Sequence, residues 1–260
     1  MHSAHTPNAQ HQPVLELREV TKSYSIGDQQ INALNGVSVS INKGEFVAIM
    51  GPSGSGKSTF LQIASILAEP TSGVILLDNK DVSVLDEPKR AKVRNQNIGF
   101  VFQQFNLLPK TSAIENVALP LVYAGVPEKE RQERAIDLLN QVGLGERLKN
   151  TPAQLSGGQQ QRVAIARALI NNPSVIFADE PTGNLDTKSG EEILEILAKL
   201  HKQGKTIIMV THEHDVAAIA GRLIDMRDGK IISDKPHRPG TQITIVANKV
   251  VKKQKQGGRS

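Results

Sequence analysis

The most informative segment of the chain is Gly51-Pro52-Ser53-Gly54-Ser55-Gly56-Lys57-Ser58. It matches the pattern G-x-x-x-x-G-K-[ST], in which glycines let the backbone bend so that its N–H groups face phosphate oxygens. An apolar run at 46–50 precedes it and helix-forming residues at 58–68 follow it, and the N-terminal end of a helix also attracts anions. The segment therefore predicts a phosphate-binding loop, in which Lys57 reaches the terminal phosphates and Ser58 is a hard oxygen ligand for Mg²⁺.

Two carboxylates end an apolar run further along the chain. Residues 175–178 are apolar, and Asp179 and Glu180 follow directly. A buried strand of this kind carries charge to the carboxyl edge of a parallel sheet, where ligands bind. Asp179 is suited to the Mg²⁺ shell, and Glu180 to polarising a water molecule for attack on phosphorus. The alternative is an acidic turn that meets solvent, which the upstream phosphate loop disfavours.

His212 follows a third apolar run, 206–210, which is predicted to be a neighbouring strand. A histidine at the carboxyl end of such a strand is a candidate for a hydrogen bond to a phosphate or to the attacking water. The alternative is a histidine at the surface or satisfied within the core.

The order of apolar patterns predicts the fold class. Patterns typical of strands and of helices alternate along the chain, which favours a parallel α/β sheet. Residues 103–169 have helical periodicity, with Pro127 as an early helix residue and Ser156 as a helix cap. Predicted strands lie at 14–17, 31–41, 46–50, 74–77, 98–102, 175–178 and 206–210, and predicted helices at 58–68, 157–169 and 190–201.

Composition excludes several classes of protein. The 260 residues contain no cysteine, which rules out disulfides, thiolate zinc sites and cysteine nucleophiles. Aromatic residues make up 3% of the chain and tryptophan is absent, too few for a surface that stacks nucleic-acid bases. No apolar run approaches the roughly 20 residues that span a bilayer, and the polar residues 1–13 are unlike a secretory signal. The chain is therefore expected to be cytoplasmic.

At Leu155-Ser156-Gly157-Gly158-Gln159 the sequence resembles the signature of ABC ATPases, and the likeness continues to Leu169. Ser-Gly-Gly at the start of a helix also offers unpaired backbone N–H groups, which would form a second site that can bind an anion. The resemblance covers about residues 13–234. It implies an α/β fold with a P-loop parallel-sheet core, an N-terminal antiparallel β subdomain and a helical subdomain at about 103–170. It also implies hydrolysis of ATP with Mg²⁺ in a homodimer that forms on ATP binding, where one subunit's P-loop and the other's signature enclose each ATP.

The resemblance implies roles for single residues. Tyr24 would stack on adenine, with an ordinary strand aromatic as the alternative, and Gln103 would contact Mg²⁺, with Gln104 as the alternative. Asp186 belongs to a loop that crosses the dimer interface, and His212 matches the switch histidine. The implied catalytic residues are Lys57, Glu180 and His212, and the implied metal ligands are Ser58, Gln103 and Asp179. The implied ATP contacts are Tyr24, Gly51, Pro52, Ser53, Gly54, Ser55, Gly56, Lys57, Ser58 and Thr59 in one subunit and Ser156, Gly157, Gly158, Gln159 and Asp186 in the other.

Three segments narrow the resemblance to one branch of the family, namely residues 100–109, 115–121 and 178–186. They are similar to the branch that serves lipoprotein release, macrolide export and antimicrobial-peptide resistance. This likeness implies an integral membrane permease as partner, export or extraction outside the cytoplasm, and a peripheral position on the inner face of the cell membrane. Segment 104–123 is the predicted permease-binding surface, and the alternative is that half of its apolar residues are packed core.

The net charge of +5 is concentrated at the C-terminus. Seven Lys or Arg residues and no acid lie at 235–260, so residues 1–234 carry a net charge of −2. The predicted organisation is a lead-in at 1–12, an ABC ATPase domain at 13–234 and a basic tail at 235–260, in which residues 242–247 could form a strand.

The basic tail supports the main rival, a soluble ABC ATPase that acts on nucleic acid or on a soluble assembly. The chain has no coiled-coil insertion, second cassette or zinc module, so no specific nucleic acid is expected. A second rival, a P-loop kinase or GTPase, leaves the signature unexplained and lacks an Asn-Lys-x-Asp element.

Overall fold

The structure, a computed structural model, describes residues 13–27 and 29–237. The strands of this part are β1 (Pro13–Ile26), β2 (Gln29–Asn42), β3 (Phe46–Met50), β4 (Ser72–Leu77), β5 (Lys80–Asp81), β6 (Ile98–Val101), β7 (Val175–Asp179), β8 (Thr206–Val210), β9 (Arg222–Arg227) and β10 (Lys230–Pro236). One sheet is antiparallel, in the order β2-β1-β4-β5. The other has the order β10-β9-β3-β8-β7-β6, and all its strands except β10 are paired in parallel. The predicted α/β class is confirmed.

Helices cover the parallel sheet and form a separate layer beyond its β6 edge. They are α1 (Lys57–Ala64), α2 (Glu87–Asn97), α3 (Ala113–Tyr123), α4 (Glu128–Gln141), α5 (Gly157–Leu169), α6 (Thr187–Lys202) and α7 (His214–Ala217), with 3₁₀ turns at Gly145–Arg147 and Pro152–Gln154. Helices α3, α4 and α5 bury a small core of their own around Val117, Leu139 and Val163. Among the described residues, no helix has both the length and the apolar character needed to cross a membrane.

The parallel strands bring the predicted site residues to one edge. Strands β3, β8, β7 and β6 lie side by side in the same direction, so their carboxyl ends meet at the same edge of the sheet. The chain leaves β3 at Gly51, β7 at Asp179 and β8 just before His212, and Gln103 follows β6. Ligands of open parallel sheets bind at this edge.

Two predicted helices have different bounds in the structure, for local reasons. Helix α1 ends at Ala64 instead of residue 68, because Ile66 has a left-handed backbone (φ 52°) that a helix cannot contain. Helix α6 begins at Thr187 instead of residue 190, because the Asp186 side chain accepts a hydrogen bond from the Ser189 N–H and caps the helix.

Several elements were not predicted from the sequence. Helix α2 buries only Arg90, so it has no apolar stripe to signal it, and β10 is an edge strand with mostly exposed residues. The predictions for the lead-in at 1–12 and the possible strand at 242–247 lie outside the described residues.

Candidate functional site

Close backbone contacts explain two glycines of the phosphate loop. Gly51 (φ 151°) and Gly56 (φ 99°) have backbone conformations that residues with a Cβ rarely adopt. A Cβ on Gly51 would lie 2.2 Å from the carbonyl oxygen of Met226, and one on Gly56 would lie 2.5 Å from that of Ala33. Met226 belongs to β9 and Ala33 to β2, so both sheets determine the shape of the loop.

Lys57 begins α1 and is 8% exposed. Its ammonium group donates hydrogen bonds to the carbonyl oxygens of Gly51 (2.7 Å) and Pro52 (2.8 Å), which hold the charge inside the loop. Ser55 Oγ is also buried, and no group in residues 13–27 or 29–237 hydrogen-bonds to it. A buried ammonium, an unpartnered hydroxyl and the N-terminal end of a helix together suit phosphate oxygens.

The two carboxylates at the end of β7 have different surroundings. Burial raises the pKa of Asp179, the charge of Glu180 raises it further, and the charge of Lys57 lowers it. Glu180 has a left-handed backbone (φ 41°), and its Oε1 lies 2.8 Å from Nδ1 of His212. Because an ionised carboxylate only accepts hydrogen bonds, Nδ1 of a neutral His212 is the donor and Nε2 is free to accept. The structure thus pairs the predicted base with the predicted switch histidine.

One cavity of about 750 Å³ brings many of the predicted residues together. Those that line it are Ser53, Gly54, Gly56, Lys57, Ser58, Thr59, Glu180 and His212. Residues that sequence reasoning missed also line it, namely Ile31, Asn32, Ala33, Val210, Asp228 and Gly229. A cavity of this size is in the range that proteins use to hold small molecules.

Apart from Val210, which ends β8, the missed residues come from β2 and from the turn between β9 and β10. The N–H of Gly229 donates to the carbonyl of Ser55 (3.0 Å), and the N–H of Asn35 donates to the carbonyl of Gly229 (2.9 Å). Asp-Gly is a typical hairpin turn, so Asp228-Gly229 was a signal for a hairpin. Its position beside the phosphate loop follows from the pairing of β9 with β3, which no local signal predicts.

Tyr24 lies next to the cavity but is not among its lining residues. It stands opposite Ile31 in the pairing of β1 with β2, and Ile31 does line the cavity. Tyr24 is 38% exposed, and the ammonium of Lys22 lies 5.2 Å from its ring centroid. Its ring is therefore partly exposed beside a strand residue that lines the cavity.

Gln103 lies half-buried at the same sheet edge as Asp179. A Cβ on Gly183 would lie 2.7 Å from Nε2 of Gln103, so Gly183 lies directly beside the end of this side chain. The carbonyl of Gln103 accepts a hydrogen bond from Nδ2 of Asn184 (3.0 Å). Its predicted alternative, Gln104, is exposed.

The signature residues begin α5 on a surface outside the cavity. The Ser156 hydroxyl accepts from the N–H of Gln159 (3.3 Å), and Oε1 of Gln159 accepts from the N–H of Ser156 (3.0 Å), so the two residues form a capping box. Asp186 caps the neighbouring α6, and hydrogen bonds from the hydroxyl and N–H of Ser189 lower its pKa. We call Ser156, Gly157, Gly158, Gln159 and Asp186 the signature surface, and none of them lines the cavity.

A glycine-rich loop that joins a parallel strand to a helix, with carboxylates ending a nearby strand, defines the class of P-loop nucleotide-binding proteins. Comparison with known families then gives the particular one. The sequence profile of the ABC transporter family matches residues 34–183. The chain belongs to the ABC transporter family, and it is an ATP-binding and ATP-hydrolysing domain of that family.

Known proteins similar to this chain agree with that assignment. An uncharacterized ABC transporter ATP-binding protein of Thermotoga maritima is 56% identical over 218 residues, which are 84% of this chain and 93% of that protein. The macrolide export ATP-binding/permease protein MacB of Chlorobium phaeobacteroides is 56% identical over 86% of this chain, which spans only 34% of the length of MacB. A solved dimer of the ATP-binding cassette MJ0796, in a post-hydrolysis state bound to ADP and Pi, is 49% identical, has a TM-score of 0.80 and matches over 86% of this chain and 99% of MJ0796.

Proposed function

We propose that two copies of the chain close around two ATP molecules with Mg²⁺ and drive a membrane permease partner. The main support for the dimer is the position of the signature surface. The signature surface offers bare amides at the start of α5, yet it does not line the cavity that contains the phosphate loop. In the proposed dimer a second copy supplies that surface to the open side of the cavity, and the dimeric state of the MJ0796 cassette supports the pairing of two copies.

In the proposed reaction, Glu180 accepts a proton from the attacking water. The backbone N–H groups of the phosphate loop and the buried Lys57 hold the phosphates and offset their charge. The hydrogen bond from Nδ1 of His212 orients the Glu180 carboxylate at the cavity that both residues line, and it leaves Nε2 as the unprotonated nitrogen of a neutral imidazole. His212 therefore positions the base, and Nε2 is an acceptor for a water or a ligand hydroxyl.

Ser58, Gln103 and Asp179 are the proposed Mg²⁺ ligands, and their chemistry fits the ion. They offer a hydroxyl, an amide oxygen and a carboxylate, all hard oxygen donors of the kind that Mg²⁺ prefers. Asp179 has a raised pKa because it is half-buried beside Glu180, and a divalent cation would favour its ionised form. Bound Mg²⁺ supplies neutralisation of charge on the terminal phosphates.

Two variants test the ATPase proposal, Glu180→Gln and Lys57→Ala. Without the carboxylate that takes the proton, Glu180→Gln should hydrolyse ATP about 10²–10⁴ times more slowly but still bind it, and should accumulate as a dimer in size-exclusion chromatography with ATP and Mg²⁺. Lys57→Ala should lose ATP binding and remain monomeric. Glu133→Gln, at an exposed position of α4, is the control. Wild-type hydrolysis by Glu180→Gln would show that another group is the base.

The proposed permease contact is an apolar surface on the helical layer, formed by Leu108, Val122 and Tyr123. These side chains are 43%, 48% and 78% exposed, respectively, and all three lie within segment 104–123, the predicted permease-binding surface. The buried Asn116 stabilises the loop before α3, because it accepts from the N–H of Leu108 (2.7 Å) and donates to the Thr111 hydroxyl (2.8 Å). Phe105 and Leu107 are half-buried, so part of the predicted segment 104–123 is packed.

A pull-down tests this surface and the export branch together. Tagged Glu180→Gln, with ATP and Mg²⁺, is incubated with detergent-solubilised host membranes, and the captured proteins are identified by mass spectrometry. We expect a multi-span permease with a large extracytoplasmic domain, whose capture Val122→Asp reduces and the exposed-site variant Glu133→Gln does not. Capture of only soluble proteins or nucleic acid would contradict the permease proposal and favour the rival that the basic tail suggests.

A further inference from the structure

We propose that Asp228 recognises the ribose hydroxyls of the bound nucleotide and so favours ribonucleotides. The proposal rests on the proposed function, with the base at Tyr24 and the phosphates at the loop of residues 51–58. Asp228 lines the cavity and has no role in the proposed chemistry of hydrolysis.

Strand β2 locates Asp228 between the two ends of the nucleotide. Ile31 pairs with Tyr24, the proposed contact of the base, and lines the cavity. Two residues further, about 6–7 Å along the strand, the carbonyl of Ala33 meets the loop, where a Cβ on Gly56 would lie 2.5 Å from it. The Asp228-Gly229 turn packs against this end of β2, since a Cβ on Gly229 would lie 2.8 Å from the same carbonyl. A sugar that links base and phosphates must pass here.

The backbone around Asp228 is held from two sides. Asp228 (φ 49°) and Gly229 (φ 73°) have the paired left-handed conformations of a tight hairpin turn. The N–H of Gly229 donates to the carbonyl of Ser55 in the phosphate loop (3.0 Å), and the carbonyl of Gly229 accepts from the N–H of Asn35 (2.9 Å). The turn therefore keeps its position relative to the phosphate loop, as a specificity residue must.

The chemistry of Asp228 selects the sugar as its partner. An ionised carboxylate only accepts hydrogen bonds, and the ribose hydroxyls are donors whereas the phosphates are not. Within residues 13–27 and 29–237, the Asp228 carboxylate makes no hydrogen bond and no ion pair. Asn32, the polar residue of β2 that lines the cavity, already accepts from the Ser23 hydroxyl (2.7 Å). Asp228 is thus the acceptor available to the 2′- and 3′-hydroxyls.

The test compares ATP with 2′,3′-dideoxyATP in equilibrium binding without Mg²⁺, so that hydrolysis does not intervene. Asp228→Gly removes the side chain and tolerates the positive φ, and Asp228→Asn also tolerates it while keeping one acceptor oxygen. We expect the wild-type protein to bind ATP about tenfold more tightly than the dideoxy nucleotide, the effect of one or two hydrogen bonds to a charged group. Asp228→Gly should abolish this preference by lowering the affinity for ATP without changing that for the dideoxy nucleotide, and Asp228→Asn should keep part of the preference. Asp137→Asn, exposed on α4, is the control and should keep all of it.

The outcomes distinguish a failure of the ribose assignment from a failure of the proposed nucleotide site. Equal binding of both nucleotides by the wild-type protein, or an equal change for both in Asp228→Gly, would overturn the ribose assignment while leaving the nucleotide site intact. Tighter binding of both by Asp228→Gly would mean that the carboxylate repels the phosphates. If the wild-type protein binds neither nucleotide, the proposed site itself is wrong.

Discussion

Gly158→Ala should destabilise the protein more than Gly157→Ala does, although both glycines belong to the signature. A Cβ on Gly158 would lie 2.9 Å from both Cβ and Oγ of Ser189 at the start of α6, closer than real Cβ contacts come. A Cβ on Gly157 would meet the end of the Leu185 side chain at 3.3 Å, and a flexible side-chain end can move by a few tenths of an ångström. The two substitutions have the same chemistry and differ in their neighbours.

The expected magnitude follows from these distances. To reach an ordinary contact of at least 3.4 Å, the starts of α5 and α6 must separate by about half an ångström. Overpacking of this kind lowers the free energy of unfolding by about 1–3 kcal/mol. Replacing a helical glycine by alanine raises it by up to about 1 kcal/mol, because alanine has the higher helix propensity. We expect Gly158→Ala to lower the free energy of unfolding by about 1–2 kcal/mol and Gly157→Ala to leave it unchanged or to raise it by up to about 1 kcal/mol.

The assay is urea unfolding of both variants and the wild-type protein, followed by circular dichroism. A double-mutant cycle with Ser189→Gly isolates the contact, because removing Cβ of Ser189 should cancel most of the Gly158→Ala penalty. Displacing Ser189 should also disturb its hydrogen bonds to Asp186 (2.7 Å and 3.0 Å) and with them the signature surface. Equal destabilisation by Gly157→Ala and Gly158→Ala, or an additive cycle, would refute this reasoning.

Two further predictions concern partly buried charged side chains, Arg167 and Asp179. Arg167 donates hydrogen bonds to the carbonyls of Phe105 (2.8 Å) and Asn106 (2.5 Å), both of which have left-handed backbones. Arg167→Met should therefore lower the free energy of unfolding by about 1–3 kcal/mol and speed hydrogen exchange at residues 104–108. Unchanged exchange in this segment, measured by mass spectrometry, would contradict the stabilising role of these two hydrogen bonds. Because the pKa of Asp179 is raised above 3.8 in the folded protein, its ionisation costs stability as pH rises through the interval above that value. The stability of Asp179→Asn relative to the wild-type protein, measured by urea unfolding without Mg²⁺ or nucleotide, should therefore grow with pH there, and a constant difference would argue against a raised pKa.

Local patterns were sufficient for much of the fold. The buried strands β3, β7 and β8 are runs of five residues with almost every side chain inside, and such runs are recognisable without neighbours. The cap at Ser156 was likewise predictable, because a capping box involves residues only three apart. Helix α2 and strand β10 were not, because neither has an apolar face that a pattern could reveal.

Local sequence was sufficient to identify the phosphate loop, the carboxylates Asp179 and Glu180, the signature and the class of protein, since each depends on residues adjacent in the chain. The set of residues that complete the cavity follows only from the folded arrangement of the strands. Gly229 contacts the phosphate loop, and Asp228 lines the cavity beside it, because β9 pairs with β3. Ala33 contacts the loop because the two sheets pack around Gly56. The separation of the signature surface from the cavity is also a tertiary property. Contacts between residues far apart in the chain depend on strand pairing and packing, for which the sequence around each residue has no local signal.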